Sequence, residues 1–215
     1  MIIKGTYLSK GASEVILDCD FNEKYTITKA DAKRLGFLEL CEDDFPIEFD
    51  DEELIEHLSQ KLKAIHYCTY LLGFSDKSVR VLRQKLKEKE YSNEVIEECL
   101  DVLQKNGVLN DTNLCRQKYL QIANSKLYGP SRIKNELFAK GFSFEDIKNA
   151  ESELELDFEE LLCELCKKLL KNGRTDLSDK AQLEKFKAKL MRYGYGFSLI
   201  NSVISEEFGT SCDFD

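Results

Sequence analysis

"RQKLKEKEYSNEVI" at 83–96, "KNELFAKGFSFEDI" at 134–147 and "KAKLMRYGYGFSLI" at 187–200 share one rhythm, with a basic residue first and an isoleucine last. Leu82, Leu86, Tyr91 and Ile96 are spaced 4, 5 and 5. Ile133, Leu137, Phe142 and Ile147 repeat that spacing, as do Phe186, Leu190, Tyr195 and Ile200, at offsets of 51 and then 53 residues. A period of this length signals an array of one supersecondary unit. In each copy the first two apolar residues lie one turn apart on a helix, the aromatic plugs the following turn, and the isoleucine begins the inward face of the next helix. Gly141 and Gly194 immediately precede the aromatic, where a short reversal calls for glycine. The first copy has Glu90 there, which should strain or reshape its turn.

Working outward, the apolar period is helical from about residue 51. Leu54, Leu58, Leu62, Ile65 and Leu72 mark a long first helix. "SDKSVRVLRQKLKEK" makes a second, with Ser75 or Asp76 as its cap, and "SNEVIEECLDVLQKNG" a third that Gly107 ends. The fold expected is mainly α: three tandem three-helix repeats, 50–109, 110–155 and 156–209, in an elongated curved array with a tail at 210–215. A bundle of some fifty residues buries too little surface to be robust alone, so neighbouring copies should share apolar faces.

The first fifty residues read differently. Val15, Leu17 and Cys19 alternate with polar or outward positions, and Tyr25 and Ile27 do the same after "DFNEK", the pattern of a hairpin. A short helix follows, with Thr28 as cap, Asp31 three residues on and Gly36 past its end. Pro46 disfavours helix in the acidic stretch "CEDDFPIEFDDEE", which reads as a linker. Residues 1–49 are therefore expected to form a small β-containing module.

No apolar run approaches a membrane span, and "MIIKGTYLSKGASE" lacks the apolar core of a signal peptide, so a cytoplasmic protein is expected. In that compartment the 8 cysteines are not read as a disulfide framework. Cys163 and Cys166 form the one close pair, but Cys166 falls on the apolar stripe of a helix and Cys163 beside it, so both read as core or flanking residues, with no metal site. Catalysis finds no support. His57 and His66 lie in the long helix without a nucleophile motif beside them, His66 bordering the core, and the chain carries no phosphate-binding glycine loop. No cofactor is expected.

Net charge is −9, which by itself argues against a nucleic-acid binder. The charge is uneven, however. Residues 1–60 hold 15 acids and 6 bases, 61–150 hold 16 bases and 11 acids, and 167–192 hold 9 bases and 3 acids. Arg80, Arg83 and Lys87 fall on one flank of the second helix, and Lys85 widens it. Lys134 and Lys187 take the place of Arg83 in the other copies, with Arg116, Lys118 and Arg132 adding charge to the second repeat and Lys189 and Arg192 to the third. A lysine-rich helix face often does no more than keep a protein in solution. Repetition of the bases along an array favours a surface for a polymeric partner.

Tyr128-Gly129-Pro130-Ser131-Arg132-Ile133, continued through Leu137 to Lys140-Gly141-Phe142, resembles the "YG..RI..EL..KG" signature of the bacterial RecX family. "KSVRVLRQKLKEKEYSNEVIEECLDVLQKNGVLND" is similar to that family's first repeat, and the likeness covers about residues 60–205. The resemblance implies a non-enzymatic regulator in DNA repair and the SOS response. It would be a monomer that lodges in the RecA–DNA filament and inhibits ATP hydrolysis, strand exchange and co-protease activity. Some members touch DNA as well; here the net negative charge should make such contact weak and salt-sensitive, and no contact with a membrane is expected. The eleven bases named above would be the partner-binding residues. The competing reading is a direct DNA binder of helix-turn-helix type, which would place one recognition helix on base edges.

Overall fold

The structure, a computed structural model, describes residues 1–171 and 176–209, and the expected tail at 210–215 lies outside them. The chain divides into two compact units, Met1–Leu109 and the remainder from Asn110. Mainly helical, it opens with a small antiparallel sheet, as the change of apolar period predicts.

In the first unit β1 (Ile2–Leu8), β2 (Glu14–Cys19), β3 (Lys24–Thr28) and the two-residue β4 (Ile47–Glu48) form a sheet of order β3-β2-β1-β4. The β2–β3 hairpin is the one read from alternation. Both outer additions are new. β1 pairs with β2, and the acidic stretch expected to be only a linker supplies β4, where Ile47 faces Ile3 across the ladder. One apolar position in a two-residue strand leaves no period to detect. Helix α1 (Lys29–Arg34) is capped as predicted: Thr28 Oγ1 accepts the Asp31 backbone N–H at 3.0 Å, and Gly36 takes a positive φ of 81°.

Helix α2 (Glu52–Phe74) serves two cores. Its Ile55 and Leu58 pack with Ile3, Val15, Leu17 and Ile27 of the sheet. Its Ala64 and Cys68 pack instead with α3 (Val79–Lys87) and α4 (Asn93–Lys105) through Leu82, Leu86, Ile96 and Cys99. The buried stripe runs through Ala64 and Cys68, which turns His66 outward. It does not border the core; it is exposed, and its Nε2 lies 2.8 Å from Glu14 Oε1 on β2. Helix α3 begins at Val79 with Ser78, not Ser75 or Asp76, at the cap position, because α2 runs on to Phe74 and the residues between are needed to reverse the chain.

The second unit holds α5 (Asp111–Lys126), α6 (Pro130–Ala139) and α7 (Phe144–Leu154), then α8 (Phe158–Leu170), α9 (Lys180–Arg192) and α10 (Phe197–Phe208). Each triplet has its own buried cluster, and Phe158 and Leu161 of α8 pack against both. Within this unit, neighbouring bundles do share apolar faces.

The 4-5-5 spacing has a backbone cause. At the end of α3 the Tyr91 N–H donates to the Leu86 carbonyl at 3.3 Å and the Glu90 N–H to the Lys87 carbonyl at 2.9 Å. Phe142 to Leu137 with Gly141 to Phe138, and Tyr195 to Leu190 with Gly194 to Met191, repeat that pair of bonds. This is the Schellman closure, which ties a residue to the carbonyl five back and needs a left-handed residue before it. The aromatic then precedes a cap residue, Ser92, Ser143 or Gly196, whose carbonyl accepts from Ile96, Ile147 or Ile200. Aromatic and isoleucine thus flank the helix start as a hydrophobic staple.

Glu90 occupies the left-handed position at φ 62°, beside φ 90° at Gly141 and 96° at Gly194. The turn is strained and keeps its shape. A left-handed non-glycine residue costs about 1–2 kcal/mol, while glycine returns about 0.4–1 kcal/mol through the unfolded chain. Glu90→Gly is therefore expected to stabilise the first unit by about 0.5–1 kcal/mol, read as a thermal midpoint raised by a few degrees. A fall in the midpoint would count against the strain.

Candidate partner-binding site

The three register-matched bases are each held by an acid of their own bundle. Arg83 makes a two-pronged contact with Glu97 on α4, Nε to Oε1 and Nη2 to Oε2, both 2.8 Å. Hydrogen bonding to Arg83 holds the Glu97 carboxyl below its ordinary pKa. Lys134 reaches Glu151 on α7 at 2.8 Å. Lys187 is only 4% exposed, with Nζ 3.7 Å from Glu184 and 5.9 Å from the centre of the Phe197 ring. Equal register therefore does not produce a row of three equally exposed charges. Lys85 pairs with Glu88 at 2.7 Å, and Lys118 is half-buried. Arg80 and Lys87 in the first unit, and Arg116, Lys189 and Arg192 in the second, are exposed.

Arg132 has an internal role that the sequence did not reveal. Its Nη1 donates to the Arg192 carbonyl at 2.9 Å, and its guanidinium lies 4.0 Å from the Tyr128 ring centre and 5.7 Å from that of Tyr193. The same place joins two backbones: the Gly129 N–H donates to the Tyr193 carbonyl at 2.8 Å and the Ser131 N–H to the Gly194 carbonyl at 3.3 Å. Tyr195 Oη donates to the Leu127 carbonyl at 3.1 Å. The open N–H groups at the start of α6 thus meet the open carbonyls at the end of α9, each helix satisfying the other. A Cβ on Gly129 would come within 2.5 Å of the Gly194 carbonyl carbon, so the contact requires glycine on this side. The "YG..R" run is a joint between the second and third bundles. Its sequence signal was present, but the backbone it meets, Tyr193 and Gly194 at the end of α9, is far away along the chain.

In the first unit His57, Glu94 and Glu98 bring possible ligand atoms within 4.8 Å of one another. Lys61 already donates to Glu98 Oε2 at 2.8 Å, and His57 Nε2 lies 3.2 Å from Glu98 Oε1, so the group acts as a polar clamp between α2 and α4. The hydrogen bond from Lys61 comes first among the causes that lower the Glu98 pKa. Cys166 is buried and its thiol pushed up to about 12 by desolvation, while Cys163 is half-buried. Cys68 and Cys99 meet in the first bundle with sulfurs 4.0 Å apart, a contact between two helices that spacing along the chain does not show.

Comparison with known proteins places this arrangement. A family model described as "RecX, first three-helix domain" matches residues 64–103, the segment that holds the first 4-5-5 copy. The chain is similar to RecX proteins well beyond that segment. It is 29% identical over 163 residues to a Regulatory protein RecX from Clostridioides difficile, covering 74% of this chain and 76% of that one. It is 37% identical over 92 residues to a Regulatory protein RecX from Actinobacillus pleuropneumoniae, covering 41% of this chain and 60% of the relative. A crystal structure of regulatory protein RecX superposes with a TM-score of 0.74 at 20% identity, covering 94% of this chain and 97% of that one. RecX from Lactobacillus salivarius gives 0.61 at 23% identity over 70% of this chain and 98% of that one. These two establish the shared fold. Among the described residues no helix is long and apolar enough to cross a membrane.

Gly194→Ala is expected to cost about 3 kcal/mol, combining left-handed strain with overpacking, because its Cβ would meet Arg132 Cβ and N at 2.5 Å. Gly107→Ala, with φ 70° but open space around it, should cost only about 1–2 kcal/mol. Urea unfolding of both variants checks the difference, and equal losses would remove the joint as a constraint. Glu98, with its pKa lowered in the fold, contributes stability above the ordinary carboxylate range that is lost as pH falls through its folded pKa. Thermal midpoints should drop below about pH 4.5 and drop less steeply in Glu98→Gln; parallel curves would contradict the clamp.

Proposed function

We propose that this protein is a non-enzymatic regulator that binds the RecA–DNA filament and inhibits its ATPase, strand exchange and co-protease activity. The observation carrying this reading is the threefold helical corner, built with the same backbone bonds each time, in a chain similar to RecX proteins. A protein made of repeats offers repeated contact points, and a filament of identical subunits offers repeated sockets. Modest contacts then add through effective concentration.

The exposed bases, Arg80, Lys87, Arg116, Lys189 and Arg192, are the residues proposed to meet the partner. Arg83, Lys134 and Lys187 contribute through pairs that shape the bundle surface. The net charge of −9 makes a protein-first encounter more favourable than direct attraction to DNA.

The test is RecA's DNA-dependent ATPase with the protein added below stoichiometry. A reduced rate is expected, and charge reversal at Arg116, Lys189 and Arg192 should weaken the effect while leaving helicity unchanged. An unaltered rate and filament lifetime with the unmodified protein would overturn the reading. Duplex binding without RecA, with a steep salt dependence, would favour the helix-turn-helix alternative.

A further inference from the structure

Two apolar corners of the second unit are exposed at matching positions. Phe138, at the end of α6, is 40% exposed, and Phe144, the first residue of α7, is 68% exposed. Their rings stack with centroids 6.5 Å apart and planes 16° from parallel. Fifty-three residues on, the same two places hold Met191, near the end of α9, at 51%, and Phe197, the first residue of α10, at 45%. The corresponding residues of the first repeat are Lys87 and Asn93.

None of these four side chains is needed to close the turn. Schellman bonds, aromatic plug and staple all form in the first repeat with a lysine and an asparagine in their place. Single exposed apolar residues are ordinary. A pair kept at the same two positions in two repeats, exposed in both and next to a turn that does not require it, points to a contact. Large flexible or aromatic side chains held on a rigid corner are the usual anchors of protein interfaces.

The joint between α9 and α6 sets the spacing. The second corner adjoins the start of α6 through Tyr193 and Gly194, and the first corner lies at the other end of that 10-residue helix. One helix of this length separates them by about 15 Å.

We infer that Phe138 with Phe144, and Met191 with Phe197, are paired anchors for a protein polymer, each entering an apolar socket on successive identical subunits. This rests on the filament reading above and names the residues that would carry it. Charge supports a protein surface with carboxylates around the second socket: Lys185, Lys189 and Arg192 are exposed around this corner, while Lys187 is buried beside Glu184 and adds no surface charge. The first corner has bases and acids in balance, Lys134, Lys140 and Lys148 against Glu136, Glu145 and Asp146. Two corners of such different charge, one of them using a methionine, suit sockets on a protein better than successive bases of a nucleic-acid strand, which call for a continuous basic groove and stacking rings.

The test places the first repeat's own residue at the anchors. Phe144→Asn, Phe197→Asn and the double variant, in the full chain, are compared with the unmodified protein for binding to RecA filaments on single-stranded DNA. Thermal unfolding confirms that each variant is folded. Each single change should weaken filament binding at least tenfold, and the double change further, while binding to unassembled RecA changes less because only one socket is in play. Unmodified protein that binds filaments, with variants that match it within twofold, would overturn the anchors and leave the filament reading standing. No filament binding by the unmodified protein would overturn both. Binding of the unmodified protein to bare single-stranded DNA that the variants lose would overturn the protein partner in favour of base stacking.

Discussion

A backbone hydrogen bond from an aromatic residue to the carbonyl five positions earlier organises this molecule. It ends one helix, fixes the direction in which the chain leaves, and places the aromatic directly before the next helix start. The following isoleucine then completes a staple across that start. Made three times, at Tyr91, Phe142 and Tyr195, the bond gives three corners of one geometry despite unlike intervening residues. The tolerance of Glu90 shows how strongly the surroundings impose it, since the local preference of that residue is overruled without altering the bonding.

Between the second and third bundles a different constraint operates. Where α6 begins and α9 ends, two glycines let main chains approach to hydrogen-bonding distance, and Arg132 covers the contact while resting on two tyrosine rings. The complementary helix ends make the approach favourable, because donors and carbonyls that each terminus leaves open are satisfied together. The arginine is thus better placed to hold the scaffold than to reach outward.

Much of this was legible in the sequence, and the reason is local. Apolar period, cap residues and turn glycines all depend on neighbours within five positions, so the hairpin β2–β3, the Thr28 cap and the helices of the three corners could be read directly. What depends on distant partners could not. β4 is two residues long and exists because β1 offers it an edge. The outward turn of His66 reflects where the facing helices lie, which its place on the long helix does not show. Among the candidate bases, register gives Arg83, Lys134 and Lys187 one place in the repeat, but burial of Lys187 and the acids beside all three are properties of packing. The exposed pairs at 138, 144, 191 and 197 were present in the repeat all along, yet only solvent exposure separates such residues from core.

Helix α2 carries one last consequence. Its first two turns lie under the sheet and its later ones inside the first bundle, so a continuous rod belongs to both hydrophobic interiors. Loosening either end frays a shared element, and the two should melt together as one cooperative block. For anyone trimming this chain, a cut just ahead of the rod would strip its leading turns of their apolar cover: the sheet is the lid of the helical part and not a detachable leader.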